Sequence, residues 1–226
     1  MKSFFSALLL SWLTGSVMSQ ADSSALLKQA ETILQNHSPD VSSILTDNAF
    51  ETLHPLTTFR EMIRKHAAAD VLKITRTNEP GKKIKVIATV KNKDGQPIPN
   101  ALVYLYQTDS RGWYAADAPH ILMYEGDIRH ARLFGYVKTD KNGKIELHTI
   151  KPSGYPKSDL PAHIHVHVMA EGYRSYRIEF LFQDDERLKG EILNRAVVDG
   201  GMIGIPEPVE SPFVQKFSYE IRLTKN

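Results

Sequence analysis

The sequence predicts a mainly β protein, an antiparallel β-sandwich that is preceded by α-helices. Three observations lead to this fold class. From Val71 onward, apolar and polar residues alternate in many short stretches. Glycine, proline and asparagine turn signals separate these stretches, and helical spacing of apolar residues is concentrated in the first third of the chain. Many short alternating strands with few late helices are typical of a sandwich.

The first 19 residues have the layout of a secretory signal peptide. One basic residue, Lys2, precedes an apolar core over 4–13, and small residues follow at Val17, Ser19 and Ala21. The apolar run is shorter than the ~20 residues that span a bilayer. We expect cleavage near Ser19 or Ala21 and a protein outside the cytoplasm, either periplasmic or secreted.

Composition excludes several classes of function. The chain has no cysteine, which rules out disulfides, zinc–thiolate sites and a cysteine nucleophile. Its 28 basic and 26 acidic residues give a net charge of +2, so there is no electrostatic case for binding nucleic acid or an anionic membrane. No stretch after the signal peptide is long and apolar enough to predict a membrane span. The oligomeric state is left open.

Residues 20–70 are predicted as an N-terminal helical segment. The stretches SSALLKQAETILQN (23–36) and TTFREMIRKHA (57–67) each place apolar residues on one helical face. Thr58 and Glu61 have the spacing of a capping box, which predicts the start of the second helix there. The two helices are expected to pack on a core through Leu26, Ala30, Ile33 and Leu34, and through Phe59, Met62, Ile63 and His66.

Residues 71–226 are predicted as the β-sandwich. Asp94-Gly95 predicts a turn, Pro97 and Pro99 exclude a central strand just after it, and Asn142-Gly143 predicts a hairpin. The region Gly190–Pro212 is rich in glycine and proline, and we expect a long loop there that closes over part of the molecule. The predicted strands follow alternating apolar residues over 84–90, 101–105, 145–147, 164–168, 178–182 and 217–223.

Three histidines alternate with apolar residues in LPAHIHVHV, residues 160–168. Because side chains alternate across a strand, His163, His165 and His167 share one face while the apolar residues point into the core. A His-x-His pair places two imidazoles about 7 Å apart along a strand, close enough to bind one ion. Three solvated histidines on a polar face are the alternative interpretation.

Several stretches around these histidines occur in a specific order. GYP stands at 154–156 and PAHIH at 161–165. Upstream lie ALVYLYQTDSRGWY, which ends in Gly-x-Tyr, and TDKNGKIELHTIKPSGYP, which runs into the second tyrosine. Over roughly residues 81–185 the chain resembles the intradiol ring-cleavage dioxygenases, the family of catechol and protocatechuate enzymes. The signal peptide fits the extracytoplasmic branch of that family.

The resemblance implies a non-haem ferric iron site with the ligands Tyr114, Tyr155, His163 and His165. Phenolates are hard anionic donors that favour ferric iron. The implied substrates are a small aromatic diol of catechol type and O2, and the ring bond between the two hydroxyl-bearing carbons is cleaved to a muconic-acid product. Tyr155 is the implied catalytic residue, since it would leave iron when the catecholate binds and take up a substrate proton. His167 falls outside the family's motif.

The sequence departs from the family's pattern at the substrate end. Leu160 stands three residues before the first ligand histidine, where the family's arginine is expected, and Glu179 stands where a glutamine is usual. Arg174 and Arg177 are close enough in sequence to supply a cation, and a surface position for both is the alternative. Leu160, Arg174 and Glu179 are therefore candidate substrate-binding residues. We expect neutral catechols to be preferred over protocatechuate, because an unpaired buried anion is costly. The apolar pocket wall is expected to include Met202, Ile203 and Ile205.

Two other functions stay open. VKNKDGQPIPNALVYLYQTDSRG also resembles transthyretin-like and carboxypeptidase-regulatory modules, which are non-enzymatic sandwiches. A copper- or zinc-buffering protein would use His163, His165 and His167, and its metal binding would survive the loss of both tyrosines. Most other tyrosines are expected to pack with a hydrogen-bonded hydroxyl, namely Tyr104, Tyr106, Tyr136 and Tyr219.

Overall fold

The computed structural model describes residues 20–36, 41–115, 131–207 and 214–226. The predicted signal peptide, residues 1–19, lies outside the described residues, and so does the end of the predicted loop, residues 208–212. The described chain consists of N-terminal helices followed by two five-stranded sheets. The mainly β sandwich with N-terminal helices is thereby confirmed.

The N-terminal segment is helical, as predicted. Its helices are α1 (Gln20–Asn36), α2 (Val41–Leu45), a 3₁₀ helix (Asn48–Leu53) and α3 (Thr57–Lys65). Ala30 and Leu34 of α1 and Phe59 and Ile63 of α3 are buried in the same hydrophobic core as the strands. The helical segment therefore shares one core with the sandwich, since its apolar faces find their partners there.

The start of α3 differs from the predicted capping box. The helix begins at Thr57, Leu56 is the N-cap residue, and no side chain caps the helix. Thr58 therefore already lies inside the first turn, where its hydroxyl cannot act as an N-cap. A capping box needs the threonine in the extended N-cap conformation, and here Leu56 adopts it with φ −77° and ψ 129°. Residue spacing alone does not determine which residue takes that position.

The strands within the described residues are β1 (Val71–Lys73), β2 (Lys83–Asn92), β3 (Leu102–Gln107), β4 (Leu133–Lys138), β5 (Lys144–Ile150), β6 (His163–Met169), β7 (Tyr176–Phe182), β8 (Met202–Gly204), β9 (Pro206–Glu207) and β10 (Gln215–Leu223). The order in the first sheet is β1-β5-β2-β10-β9, and in the second β4-β3-β6-β7-β8. The core lies between the sheets. Phe180 of β7 stacks on Tyr219 of β10 with ring centroids 4.0 Å apart.

Strand pairing is mixed, which refines the expectation of an antiparallel sandwich. The pairs β1–β5, β2–β10 and β7–β8 are parallel, whereas β2–β5, β3–β4, β3–β6, β6–β7 and β9–β10 are antiparallel. Apolar–polar alternation is the same in both arrangements, so it identifies the buried face of a strand and not the direction of its neighbour.

The turn at Asn142-Gly143 joins two sheets and does not form a hairpin. β4 before it belongs to the second sheet and β5 after it to the first. Gly143 has φ +74°, and a Cβ there would overlap the carbonyl oxygen of Val90. The sequence signal therefore identified a turn with positive φ correctly, but the hairpin prediction is wrong because the chain crosses the sandwich at this point.

The described part of the region predicted as a long loop contains regular structure. It forms α4 (Gly190–Val198) and the short strands β8 and β9. Ile192, Leu193 and Ala196 recur at helical spacing and are half-buried, which supplies the apolar stripe of a short helix. Glycines and prolines flank this stripe, and their abundance conceals it in the sequence. Among the helices that the structure describes, none has the length and apolar character needed to cross a bilayer.

Candidate metal centre

Strand β6 carries two histidines to one point on the outer face of the second sheet. Ile164, Val166 and Val168 are buried in the core, so the alternating histidines face the opposite way. The Nε2 atoms of His163 and His165 are 3.2 Å apart, far closer than the separation of about 7 Å between their positions along the strand. Both rings therefore converge on the same small volume.

Two tyrosine hydroxyls meet these nitrogens. The hydroxyl of Tyr114 lies 2.6 Å from that of Tyr155 and 2.8 Å from Nε2 of His165. The hydroxyl of Tyr155 lies 3.1 Å from Nε2 of His163 and 3.4 Å from Nε2 of His165. Metal–ligand bonds of about 2.0–2.2 Å place neighbouring donor atoms roughly 3 Å apart. The two phenols and two imidazoles thus have the donor chemistry and the spacing of one metal site.

The hydrogen bonds of the histidines determine which nitrogen faces the centre. Nδ1 of His163 donates to the carbonyl oxygen of Pro161 at 2.8 Å, so the lone pair is left on Nε2. Nδ1 of His165 faces Oε1 of Glu179 at 3.5 Å. A carboxylate or carbonyl behind a ligating imidazole is the usual outer support of a metal-binding histidine. Both imidazoles are therefore oriented to coordinate through Nε2.

His163, His165 and Glu179 form a second candidate group, since ligand atoms of the three lie within 4.8 Å of one another. Glu179 faces Nδ1 of His165, whereas Nε2 of that ring faces the two tyrosines. One small ion cannot use both nitrogens of a ring. The shorter distances on the tyrosine side favour the set Tyr114, Tyr155, His163 and His165, with Glu179 as the support of His165.

Two glycines hold the tyrosine-bearing loops together. Gly112 has φ +81°, and a Cβ there would overlap the carbonyl oxygen of Gly154. A Cβ on Gly154 would overlap the carbonyl oxygen of Leu160 and the guanidinium of Arg187. Arg187 donates to the carbonyl oxygens of Tyr155 and Leu160 at 3.3 and 3.2 Å. The close backbone approach is possible only with glycine, and it brings Tyr114 and Tyr155 to the same place.

The other side of the Tyr114 loop is held by the N-terminal helices. The carbonyl oxygen of Tyr114 accepts from the backbone N–H of Arg132. Nδ1 of His54 donates to the carbonyl oxygen of Arg132 at 2.7 Å. The buried guanidinium of Arg60 donates to the carbonyl oxygen of Ala131 at 3.1 Å. The helical segment therefore takes part in positioning a candidate ligand.

Tyr106 is a site residue that sequence reasoning missed. Its ring stacks on that of His165 with centroids 4.5 Å apart and planes 13° from parallel. Tyr106 and His165 are register partners on β3 and β6. The prediction that Tyr106 only packs is therefore incomplete, whereas Tyr104, Tyr136 and Tyr219 are buried packing residues as expected. Cross-strand register would have identified Tyr106, and it cannot be derived from one strand's pattern.

Burial holds Tyr114 in its neutral form. Desolvation raises the pKa of the Tyr114 hydroxyl far above its usual value, and the neighbouring Tyr155 raises it further. A cation bound between the two hydroxyls would favour the phenolates, so metal binding there displaces protons.

Comparison with known families decides what this arrangement belongs to. A family model described as a dioxygenase matches residues 58–225, about three quarters of the chain, and includes all four donor residues. The chain belongs to the intradiol dioxygenase family. The family predicted from the sequence is thereby confirmed, and membership of its extracytoplasmic branch stays a prediction.

Named relatives agree with this family. Chlorocatechol 1,2-dioxygenase of Rhodococcus opacus is 27% identical over 133 residues, which are 51% of this chain and 49% of that protein. Catechol 1,2-dioxygenase of Acinetobacter baylyi is 27% identical over 162 residues, which are 61% of this chain and 50% of that protein. The chain thus spans about half the length of these curated relatives.

Solved structures share the fold. The crystal structure of 3-chlorocatechol 1,2-dioxygenase from Rhodococcus opacus has a TM-score of 0.54 at 22% identity, over 71% of this chain and 65% of that one. The dioxygenase domain of a dioxygenase carbohydrate-binding protein fusion from a Streptomyces species has a TM-score of 0.54 at 19% identity, over 70% and 90% of the two chains. At these identities the likeness establishes the sandwich fold.

A cavity of about 970 Å³ opens beside the four donor atoms of this family member. Tyr155, His163 and His165 line it, as do the predicted substrate residues Leu160 and Glu179. Tyr114 is not among the described residues that form this lining. Of the two tyrosines, Tyr155 is therefore the one that the described cavity wall exposes to a substrate.

The structure does not bring Arg174 to this cavity. Arg174 is exposed in the turn between β6 and β7, whereas His163 begins β6 at the opposite end of the strand, about 20 Å away at ~3.3 Å per residue. Arg177, three residues later, lines the cavity. Closeness in sequence was misleading because the β6–β7 hairpin carries its turn away from the site.

The apolar wall also differs from the prediction. Met202, Ile203 and Ile205 do not appear in the described lining, and Ile205 is 64% exposed. Instead, α4 contributes Ile192 and Ala196. The region was correctly expected to lie over the site, but β8 is bound to β7 as an edge strand, so the helix and not the strand faces the cavity.

His167 lies apart from the donor cluster. Its register partners are Tyr104 on β3 and Arg177 on β7. Its Nε2 is buried and has no hydrogen-bond partner in the described part of the chain. Desolvation lowers the pKa of His167, and the charges of Arg177 and Arg64 lower it further. A three-histidine copper or zinc site gains no support from this geometry.

Proposed function

We propose that the protein is an Fe(III)-dependent intradiol dioxygenase that cleaves the ring of a catechol-type substrate with O2 to a muconic-acid-type product. The observation that carries this proposal is the convergence of two phenols and two imidazoles, with neighbouring donor atoms 2.6–3.4 Å apart. Two phenolates and two neutral imidazoles match ferric iron better than they match zinc or ferrous iron. Tyr114, Tyr155, His163 and His165 would hold the ion.

When bound, the ferric ion would supply Lewis acidity and a template for the diol. Tyr155 lines the cavity and therefore faces the incoming substrate. Its oxygen would help to hold the ion and would accept the proton of a diol hydroxyl, so that Tyr155 would serve both as a ligand and as a base. Tyr114, His163 and His165 would keep their places because loops and strands hold them.

The overall reaction is balanced without another reductant. Both atoms of O2 enter the product, the bond between the two hydroxyl-bearing carbons breaks, and each of these carbons ends in a carboxyl group. The chain's part is to orient the diol and to exclude side reactions. Tyr106, which stacks on His165, and Glu179, which faces Nδ1 of His165, would keep that imidazole in one orientation when the diol binds.

We expect neutral catechols to be preferred over protocatechuate. The Glu179 carboxylate lines the cavity beside His165, and Leu160 supplies an apolar surface there. A ring carboxylate would meet like charge at Glu179, which opposes binding. Relative kcat/KM values for catechol, 4-methylcatechol and protocatechuate measure this preference, and a higher value for protocatechuate would show that Arg177 or another cation dominates.

The test of the proposed reaction combines metal analysis, colour and oxygen uptake. Purified protein should contain about one iron per chain and show a visible tyrosinate-to-iron absorption band. Catechol should consume one O2 per molecule and yield a product whose mass equals the sum of the two. The opposite result would be colourless protein that contains stoichiometric zinc or copper and still binds this metal when both tyrosines are replaced by phenylalanine. That result would overturn the proposal in favour of metal storage.

We also propose that the protein works outside the cytoplasm. The signal-peptide layout of residues 1–19 supports this proposal. Expression of the full chain in a bacterial host should yield a periplasmic or secreted form whose amino terminus, measured by mass spectrometry, begins near Gln20 or Asp22. An intact amino terminus in the cytoplasmic fraction would contradict it.

A further inference from the structure

The cavity is much larger than a catechol ring requires. An apolar cavity of about 150 Å³ holds benzene, whereas pockets of roughly 300–1,000 Å³ bury drug-sized ligands. The cavity here measures about 970 Å³. A ring seated at the four donor atoms would therefore fill only a small part of it. The remaining space needs an occupant or stays filled with water.

One long wall of this space is a single face of α4. Ile192, Arg195, Ala196 and Asp199 line the cavity at positions i, i+3, i+4 and i+7. This face extends for about 10 Å at ~1.5 Å per residue. Leu160 also lines the cavity and contributes an apolar side chain that is 43% exposed. The wall can therefore cover a second ring on a substrate whose first ring is at the metal.

The polar groups of this wall have both signs of charge. Arg177, Lys189 and Arg195 line the cavity together with Glu191 and Asp199. Within the described ranges none of these side chains forms an ion pair. A ligand with a single net charge would meet one sign and be repelled by the other. Hydroxyl groups donate to carboxylates and accept from cations, so a neutral polyhydroxylated ligand can satisfy both.

We propose, as a consequence of the proposed function, that the preferred substrates are catechols joined to a second hydroxylated ring. The catechol ring would lie at the four donor atoms. The second ring would lie against the α4 face, with Ile192 and Ala196 against its plane and Leu160 as a further apolar contact. Its hydroxyl groups would reach Arg195 and Asp199. The substrate class is thus a polyphenol of at least two rings and not a simple catechol.

The test measures binding without turnover. Iron-loaded protein under nitrogen is titrated with catechol and with catechin, a polyphenol that has one catechol ring, by calorimetry and by the shift of the visible band. We expect the Kd of catechin to be at least tenfold lower than that of catechol. Equal Kd values for the two ligands, or weaker binding of catechin, would overturn the inference.

A matched pair of variants on α4 locates the second ring. Ala196→Trp fills the space beside the wall and should weaken catechin at least tenfold while changing the Kd of catechol less than threefold. Val198→Trp is the control, since Val198 is 83% exposed on the same helix and is absent from the described lining; it should change neither value. Equal weakening of both ligands by Ala196→Trp would contradict a second-ring site on α4.

A smaller change covers the case in which the tryptophan prevents folding. Ile192→Ala removes apolar contact without adding bulk, and we expect it to weaken catechin about fivefold and catechol less than twofold. An unchanged Kd for catechin would again overturn the inference. Circular dichroism of each variant confirms that a folded protein is being compared.

Oxygen uptake in air separates this inference from the proposed reaction. If catechin binds tightly and Ala196→Trp weakens its binding, but no ring is opened, the proposed reaction is wrong and the polyphenol inference is kept. If catechol and catechin are cleaved with equal kcat/KM and bind with equal Kd, the reaction stands and the polyphenol inference fails. Tight binding together with a higher kcat/KM for catechin supports both.

Discussion

The two ends of the cavity are built in opposite ways. At the metal end, Tyr114, Tyr155 and His163 are 5%, 4% and 6% exposed, and their polar atoms contact one another. At the other end, α4 has no buried residue. Its cavity-facing charges form no ion pair in the part of the chain that the structure describes. Metal coordination demands sub-ångström placement, whereas recognition of a substituent tolerates adaptable side chains.

The difference follows from the supporting elements. The metal end is assembled from β6, from two loops joined at Gly112 and Gly154, and from a stretch held by His54 and Arg60. α4 instead begins at Gly190 and is followed by Gly200, both with positive φ, and its apolar residues are at most half-buried. Substitutions should therefore damage chemistry at the first end and alter selectivity at the second.

The largest expected effect is loss of the metal on His163→Ala. This change removes a ligand, and since loss of an outer support already costs about 10–100-fold in metal affinity, the loss here should exceed about 100-fold. Iron content measured by mass spectrometry should fall from about one per chain to below a tenth. Ile192→Ala at the other end is the control and should keep its iron. Full iron content in His163→Ala would show that the ligand set is wrong.

Gly112→Ala should break the junction between the tyrosine loops. Positive φ costs an alanine about 1–3 kcal/mol, and the overlap with the carbonyl oxygen of Gly154 adds about 1–3 kcal/mol. Urea unfolding should show the sum, accompanied by lower iron content. Gly172→Ala is the matched control, because Gly172 has φ +79° and nothing lies within 4 Å of the added Cβ. Gly172→Ala should lower the free energy of unfolding only by the cost of positive φ. Equal losses of stability in Gly112→Ala and Gly172→Ala would contradict a special role for Gly112.

Acid should loosen the metal end through His54. Burial is the main cause that lowers the pKa of His54 to about 4, and the nearby charges of Arg60 and Arg132 also lower it. The hydrogen bond to the carbonyl oxygen of Arg132 acts in the opposite direction and raises the pKa. The unfolded chain binds the proton near pH 6.5, so the stabilisation is complete above pH 6.5 and is lost as pH falls toward 4. The unfolding free energy should drop by about 3 kcal/mol over this range.

Urea unfolding at several pH values measures this dependence. His54→Gln removes the group, so the slope between pH 6.5 and 4 should become shallower in the variant although the protein is less stable at pH 7. Part of the slope will persist because the pKa of His167 is also lowered. Identical slopes for the two proteins would show that His54 does not titrate in this way.

The smallest expected effect is that of His167→Ala. His167 lies on the ligand face but pairs with Tyr104 and Arg177, and the four donor atoms meet without it. Iron content should stay at about one per chain, and kcat/KM should change less than about threefold. His165→Ala, one strand step away, is the comparison and should lose its iron. Equal losses in the two variants would mean that the wrong pair of histidines was assigned.

Local sequence patterns determined the strands, their buried faces and the candidate ligands. Alternation around Ile164 and Val166 shows which side of β6 the histidines take, because side-chain direction in a strand depends only on the backbone. The tyrosine and histidine motifs identified Tyr114, Tyr155, His163 and His165 before any distance was known. Their roles as iron ligands remain part of the proposed function.

Only the tertiary structure decided which distant residues meet. Parallel pairing of β2 with β10, the stack of Tyr106 on His165, and the fit of Gly112 against Gly154 join residues that no local pattern relates. The same is true of the cavity, where α4 replaced the expected loop and Arg177 lies where Arg174 was considered. Sequence periodicity shows which face of a segment is buried, whereas a site depends on packing between segments that are far apart in the chain.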